Sequence, residues 1–183
     1  MGSAARAMGA ALGALLLAAA PAPALAQEAG HSAMAEHEKI LREAADRAAI
    51  EQLMWDYVEA IDGWNPDAYA AAFTEDGEFL GTKGHDALRQ MVIDLKKSQD
   101  ERRASGATIG NMHHVMSNMN VEFVTPDHAR VYYYHMTVFG NGRNPPPNVA
   151  SVGRGVDDVV RVDGKWLIKT RNVAYQHPAP PEG

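Results

Sequence analysis

The chain contains no cysteine, which excludes a thiolate nucleophile, a thiolate metal site and any disulfide framework. Basic residues are in deficit, 17 against 23 acidic with a formal charge of −6, and no nucleic-acid footprint is present. A Gly-rich phosphate loop and a Gly-x-Ser-x-Gly elbow are missing too, which removes common nucleotide-binding and serine-hydrolase chemistries. The apolar run Met8 to Ala20 falls short of the roughly 20 residues a spanning helix needs.

What is present is the composition of a folded protein, 46% hydrophobic and 22% charged in 183 residues, enough for one domain with one core. Arg6, the Ala/Leu-rich run after it, Pro21, Pro23 and the small-x-small triplet Ala24-Leu25-Ala26 have the layout of a secretory signal peptide over residues 1–26. A periplasmic or secreted protein is expected, without stable membrane insertion after cleavage. Residues 27–45 read as a linker, loose and polar through Ala35, and the start of the first helix. Residues 46–176 read as the folded domain and residues 177–183 as a tail.

Glu38/Arg42 and Glu43/Arg47 are acid-before-base pairs four apart, and Ile50, Leu53, Tyr57 and Ile61 form a helical apolar stripe that ends at Gly63. Asn65-Pro66 opens a short second helix, and Leu88, Met91, Val92 and Leu95 mark a third from about His85 to Lys97, dissolving in the polar stretch from Ser98. Thr74 to Gly77 is turn chemistry before a short strand at Glu78 to Leu80. Four long strands follow, Met112 to Val124, Ala129 to Phe139, Val149 to Val162 and Lys165 to Tyr175, with Pro145-Pro146-Pro147 confined to a loop. Helices followed by strands predict an α+β fold: three N-terminal helices on the concave face of a cone-shaped or barrel-like, curved, largely antiparallel sheet.

Several motifs in this order resemble the SnoaL-like branch of the nuclear-transport-factor-2-like superfamily. They are Arg47-Ala48-Ala49-Ile50 with Leu53 and Tyr57, Ala60-Ile61-Asp62, Phe73-Thr74-Glu75-Asp76-Gly77, His114 with Asn118, and Arg161-Val162-Asp163-Gly164-Lys165-Trp166. The site pattern is similar to that of scytalone dehydratase, bile-acid 7α-dehydratase and hexachlorocyclohexane dehydrochlorinase, which pair an Asp ending the first helix with a His opening the first long strand. That resemblance implies an acid-base pair of Asp62 and His114, with His135 and Tyr57 as further catalytic candidates. No cofactor is implied.

The residues themselves bear on that implication. Asp62 continues the apolar helix row of Met54 and Val58, so its carboxylate is partly desolvated and needs a partner. Strand parity with Met119, Val121 and Phe123 puts His113 on their face and His114 opposite, an assignment that a bulge near Asn118 would reverse. Neighbouring strand histidines face opposite ways, so the pair is not expected to share a metal ion. Trp55, Val58, Trp64, Met116 and Tyr133 are expected to line an apolar pocket. The expected function is a cofactor-independent lyase or isomerase, dehydratase-like, on a small hydrophobic molecule, cyclic ones included; the alternative is a non-catalytic ligand-binding module or accessory subunit. A homodimer or homotrimer is expected, since one face of a long-stranded sheet is left to cover.

If the signal peptide is cut where the small-x-small triplet places it, the mature chain begins at Gln27. N-terminal sequencing of protein from its native cell checks this, and recovery of the intact Met1 form refutes it.

Overall fold

The computed structural model describes residues 22–141 and 146–174, with side chains from residue 30 onward. Most of the expected signal segment and the whole of the tail 177–183 lie outside the described residues. Two compact units divide between Arg42 and Glu43. The first contributes the opening turns of α1 (Ala22–Asp62), including Gln27 to Ala35, which is helical and not the loose linker its composition indicates.

The second unit, Glu43–Gly183, holds the remainder. After α1, Gly63 and Trp64 turn the chain, Trp64 at a left-handed φ of 57°. The Asn65 side chain then accepts from the Ala68 amide at 3.0 Å to cap α2 (Pro66–Ala71), as its N-cap position before proline requires. Strand β1 (Phe73–Phe79) takes in the residues expected as a turn, its pairing interrupted between Phe73 and Glu78. Strand β2 (Thr82–Lys83) folds back on β1. Helix α3 (His85–Ala104) runs seven residues past its expected end at Lys97. The ion pairs Lys96–Asp100 and Arg103–Asp100, at 2.6 and 3.5 Å, supply the i,i+4 and i,i+3 support that extends it.

Strands β3 (Asn111–Thr125), β4 (His128–Gly140), β5 (Asn148–Val162) and β6 (Lys165–Asn172) form an antiparallel meander. Its last turn uses Asp163 and Gly164, both at positive φ, as a two-residue hairpin of this kind demands. The sheet order is β2-β1-β6-β5-β4-β3. This corrects the expected cone: the sheet is mixed, with β1 parallel to β6, and it is neither closed nor strongly curled. The physical reason lies at its edges. Strand β2 is two residues long and the chain leaves it through Gly84 into α3, so nothing extends from that edge towards β3.

The helices bury one face against this sheet. Ile50, Leu53, Met54, Tyr57, Ala60 and Ile61 of α1 share a core with Val121, Val131, Tyr133, Val159 and Ile168. Polar rivets hold the helix in register. Asp46 accepts from Trp166 Nε1 at 3.2 Å and pairs with Arg161 at 2.6 Å, while Arg47 donates to the Val121 carbonyl at 2.6 Å. Inside the core lies an ion pair, Arg171 to Asp157 at 2.5 Å, with the Tyr133 hydroxyl donating to the same carboxylate at 2.7 Å. The Arg171 guanidinium stacks 3.9 Å from the Tyr57 ring centre. Burial pushes the Asp157 carboxyl up to about 6, while Arg171, Tyr133 and a backbone amide oppose that rise. Burial lowers the affinity of the Arg171 guanidinium for its proton, but Asp157 and the surrounding tyrosines outweigh it and hold the group above the ordinary arginine range.

Removing one partner strands the other charge in the core, at a cost of roughly 3–5 kcal/mol. Asp157→Asn is therefore expected to lower the urea midpoint steeply, and Asp157→Leu combined with Arg171→Met to cost less than the single change. Equilibrium unfolding of the three proteins checks this; an Asp157→Asn variant of unchanged stability contradicts it.

Candidate active site

Asp62 is the last residue of α1, at the negative end of the helix dipole, where a carboxylate needs donors. Strand β3 provides two from one residue. Asp62 Oδ2 accepts the His114 backbone N–H at 2.8 Å, and Asp62 Oδ1 faces His114 Nδ1 at 2.6 Å. Both side chains are 21% exposed. Since an ionised carboxylate only accepts, Nδ1 carries the hydrogen, and the lone pair of the neutral ring lies on Nε2, turned away from Asp62.

The two-point grip depends on a bulge. Asn118 has a left-handed φ of 52°, and the pairing of β3 with β4 shifts register between Ser117 and Asn120. That reverses the strand parity read from Met119, Val121 and Phe123, so Met112, His114 and Met116 face the helices while His113 faces the other side. The His113 ring bonds to the Gly140 carbonyl at 3.3 Å.

Of the other expected residues, the structure brings some to this face and not others. His135 stands opposite Met116 across β4, but its Nε2 is taken by the Val173 carbonyl at 2.9 Å. Tyr57 is buried among Tyr69, Phe73 and Arg171. Tyr133 is buried on Asp157, and Met116 receives the Arg171 Nη2 at 3.5 Å. Val58 and Trp64 are partly buried against the core. Trp55 is 66% exposed and does not line this face: it lies off the helix stripe that Met54 and Tyr57 bury.

The residues that sequence reasoning missed are Arg171 and Asp157, a cation and an anion at apolar-phase positions of neighbouring strands. A signal for them exists in Gly153 and Gly155, alternate glycines inside a long strand, which mark close approach of another group. A Cβ at Gly155 would overlap the Tyr133 ring, and one at Gly153 would lie 2.9 Å from His135 Nε2. The bare stretch of β5 thus leaves room for the Tyr133 and His135 rings, which meet edge to face at 61°. Burial raises the Tyr133 hydroxyl far above the ordinary phenol range, so it stays a donor.

Solved structures share this architecture. One is a protein from Novosphingobium aromaticivorans provisionally named scytalone dehydratase, 26% identical, aligned over 78% of this chain and 96% of its own with a TM-score of 0.56. ActVI-ORFA from Streptomyces coelicolor is 21% identical over 75% of this chain and 99% of its own, with a TM-score of 0.62. An NTF2-like protein with a cystatin-like fold, also from Novosphingobium aromaticivorans, is 20% identical over 73% and 84%, with a TM-score of 0.60. No curated protein matches the chain in sequence. The fold is that of the nuclear-transport-factor-2-like superfamily, and the SnoaL-like domain profile matches residues 42–172, so the chain belongs to the SnoaL-like family.

Proposed function

We propose that the protein is a cofactor-independent lyase or isomerase in which Asp62 and His114 act as one acid-base unit on a small, mostly apolar molecule. The observation that carries this reading is the pair of hydrogen bonds that Asp62 accepts from the His114 amide and Nδ1, which orients the ring and leaves the Nε2 lone pair free of Asp62. In an elimination, Nε2 takes a proton from carbon, the C–H electrons form the new double bond, and the leaving oxygen departs as it is protonated. Asp62 stabilises the imidazolium formed meanwhile. The Tyr57 hydroxyl, or a protonated His135 through its Nδ1, supplies the proton to the departing oxygen. The likeness to a protein provisionally named scytalone dehydratase supports the dehydratase form of this chemistry.

Acid-base positioning of this kind contributes about 10²–10⁴-fold. On the substrate once found, Asp62→Asn and His114→Gln are each expected to keep the fold and lose most turnover, with the double variant little worse than either, because groups acting as a unit are non-additive. His113→Gln, on the far face, is expected to be mild. Circular dichroism and steady-state rates check these outcomes; intact turnover in the dyad variants refutes the dyad as the catalytic unit, while binding of the molecule with no turnover by the unaltered protein makes a binding module the better reading.

The second proposal concerns assembly. Val115, Val149 and Val152 stand exposed on the sheet face away from the helices, Val152 at 76%. A second copy of the chain is proposed to cover them. Light scattering at high micromolar concentration is expected to give a dimer or trimer, which Val152→Lys shifts towards monomer; a monomer mass for the unaltered protein overturns it.

A further inference from the structure

Near the end of α3 the sequence is charged at almost every step, yet Gln99 is only 6% exposed. Lys96, Asp100 and Arg103 around it are paired with one another at the surface. The Gln99 Oε1 is buried and has no hydrogen-bond partner among the described residues. A buried acceptor without a donor is unfavourable and rare in native proteins, and each instance calls for a physical reason.

Gln99 forms part of the wall of a cavity of about 430 Å³ that lies between the end of α3, the segment leading into β3, and the facing ends of β4 and β5. Ile109, Phe139 and Ala150 supply apolar walls, and Thr108 and Arg102 supply polar ones. That volume falls in the range of small-molecule sites, as does the pairing of apolar walls with a few polar groups. No wall residue belongs to the dyad; Phe139, which pairs with Met112, stands two residues along the sheet from the level of His114, about 7 Å.

We propose that this cavity binds a small, neutral, apolar molecule carrying a hydroxyl or N–H donor, with the Gln99 amide oxygen as the acceptor that the donor satisfies. The last torsion of a glutamine is soft, so the oxygen turns to the cavity as the donor enters. Ile109 and Phe139 hold the apolar body, and the entering donor supplies the hydrogen bond that the Gln99 oxygen lacks among the described residues. A site built this way discriminates strongly against an analogue that fills the same space without the donor, because the acceptor is then left unpaired.

Two probes of equal size separate the donor from the apolar body: 1-octanol, and 1-methoxyheptane, which has the same number of heavy atoms and no O–H. By calorimetry or by ligand-observed NMR, 1-octanol is expected to bind the full-length protein about tenfold more tightly than the ether. Gln99→Leu is expected to abolish that preference, leaving the two probes within about twofold, and to leave the melting temperature unchanged or raised since an orphan acceptor has gone. Ala150→Phe, which fills the cavity from β5 without touching Gln99, is expected to remove binding of both probes. It keeps the question answerable should Gln99→Leu fail to fold. Equal binding of the two probes to the unaltered protein overturns the proposal, as does tighter binding of the ether. A folded Gln99→Leu variant that melts lower and retains the tenfold preference shows the amide to be structural and overturns it as well.

Discussion

A guanidinium sits at the centre of this protein, and the second unit is arranged around the need to neutralise it. Arg171 on β6 is matched by Asp157 on β5, the Tyr133 hydroxyl on β4 completes the carboxylate, and Tyr57 on α1 covers the planar face of the cation. Four elements must therefore be in register at once. A hydrophobic core tolerates small slips among similar side chains, but a displacement that pulled Asp157 away would leave two unpaired charges in a low-dielectric interior. The bulge in β3 and the bare glycines of β5 make that arrangement sterically possible, the first by turning Met116 towards Arg171 and the second by giving the rings of Tyr133 and His135 room.

Outside this centre, the helix-to-sheet rivets join residues far apart in sequence. Arg161 and Trp166, from the last hairpin, both converge on Asp46 near the beginning of the second unit. Arg161 also stacks over the Trp166 ring, 4.6 Å from its centre. The stretch at the end of the chain is thereby tied to Asp46, the residue just before the Arg47-Ala48-Ala49-Ile50 motif.

Much of the fold was legible because it rests on local chemistry. The helix stop at Gly63, the Asn65-Pro66 start, the Asp163-Gly164 hairpin and the four long strands each carry their own turn or periodicity signal. What was not legible depends on distant partners. The residues Thr74 to Gly77 read as a turn because they are the irregular part of β1; the pairing with β6 that holds Phe73 and Glu78 on either side of them has no local signal. The polar end of α3 read as coil because its helix is held by pairs on the solvent side. At the site, Asp62 and His114 came from resemblance, while strand parity pointed to His113 until the left-handed Asn118 reversed it. Arg171 and Asp157 were invisible because each looks like an ordinary surface charge until its partner is known.

The parallel pairing of β1 with β6 bears on how the chain reaches this state. Phe73 lies against Ile168, about 95 residues later, whereas each strand from β3 to β6 pairs with the one next in sequence, and two of the three connections are two residues long. Loop-closure entropy favours the near contacts first, so the meander has the means to assemble on its own while β1 waits for the last strand to exist. During synthesis the first two helices and β1 leave the ribosome before any partner strand, with the apolar stripe of α1 uncovered. The early life of the chain is then one of exposed hydrophobic surface, in which a holding chaperone has a larger part to play than it would for a protein of similar size built from sequential hairpins.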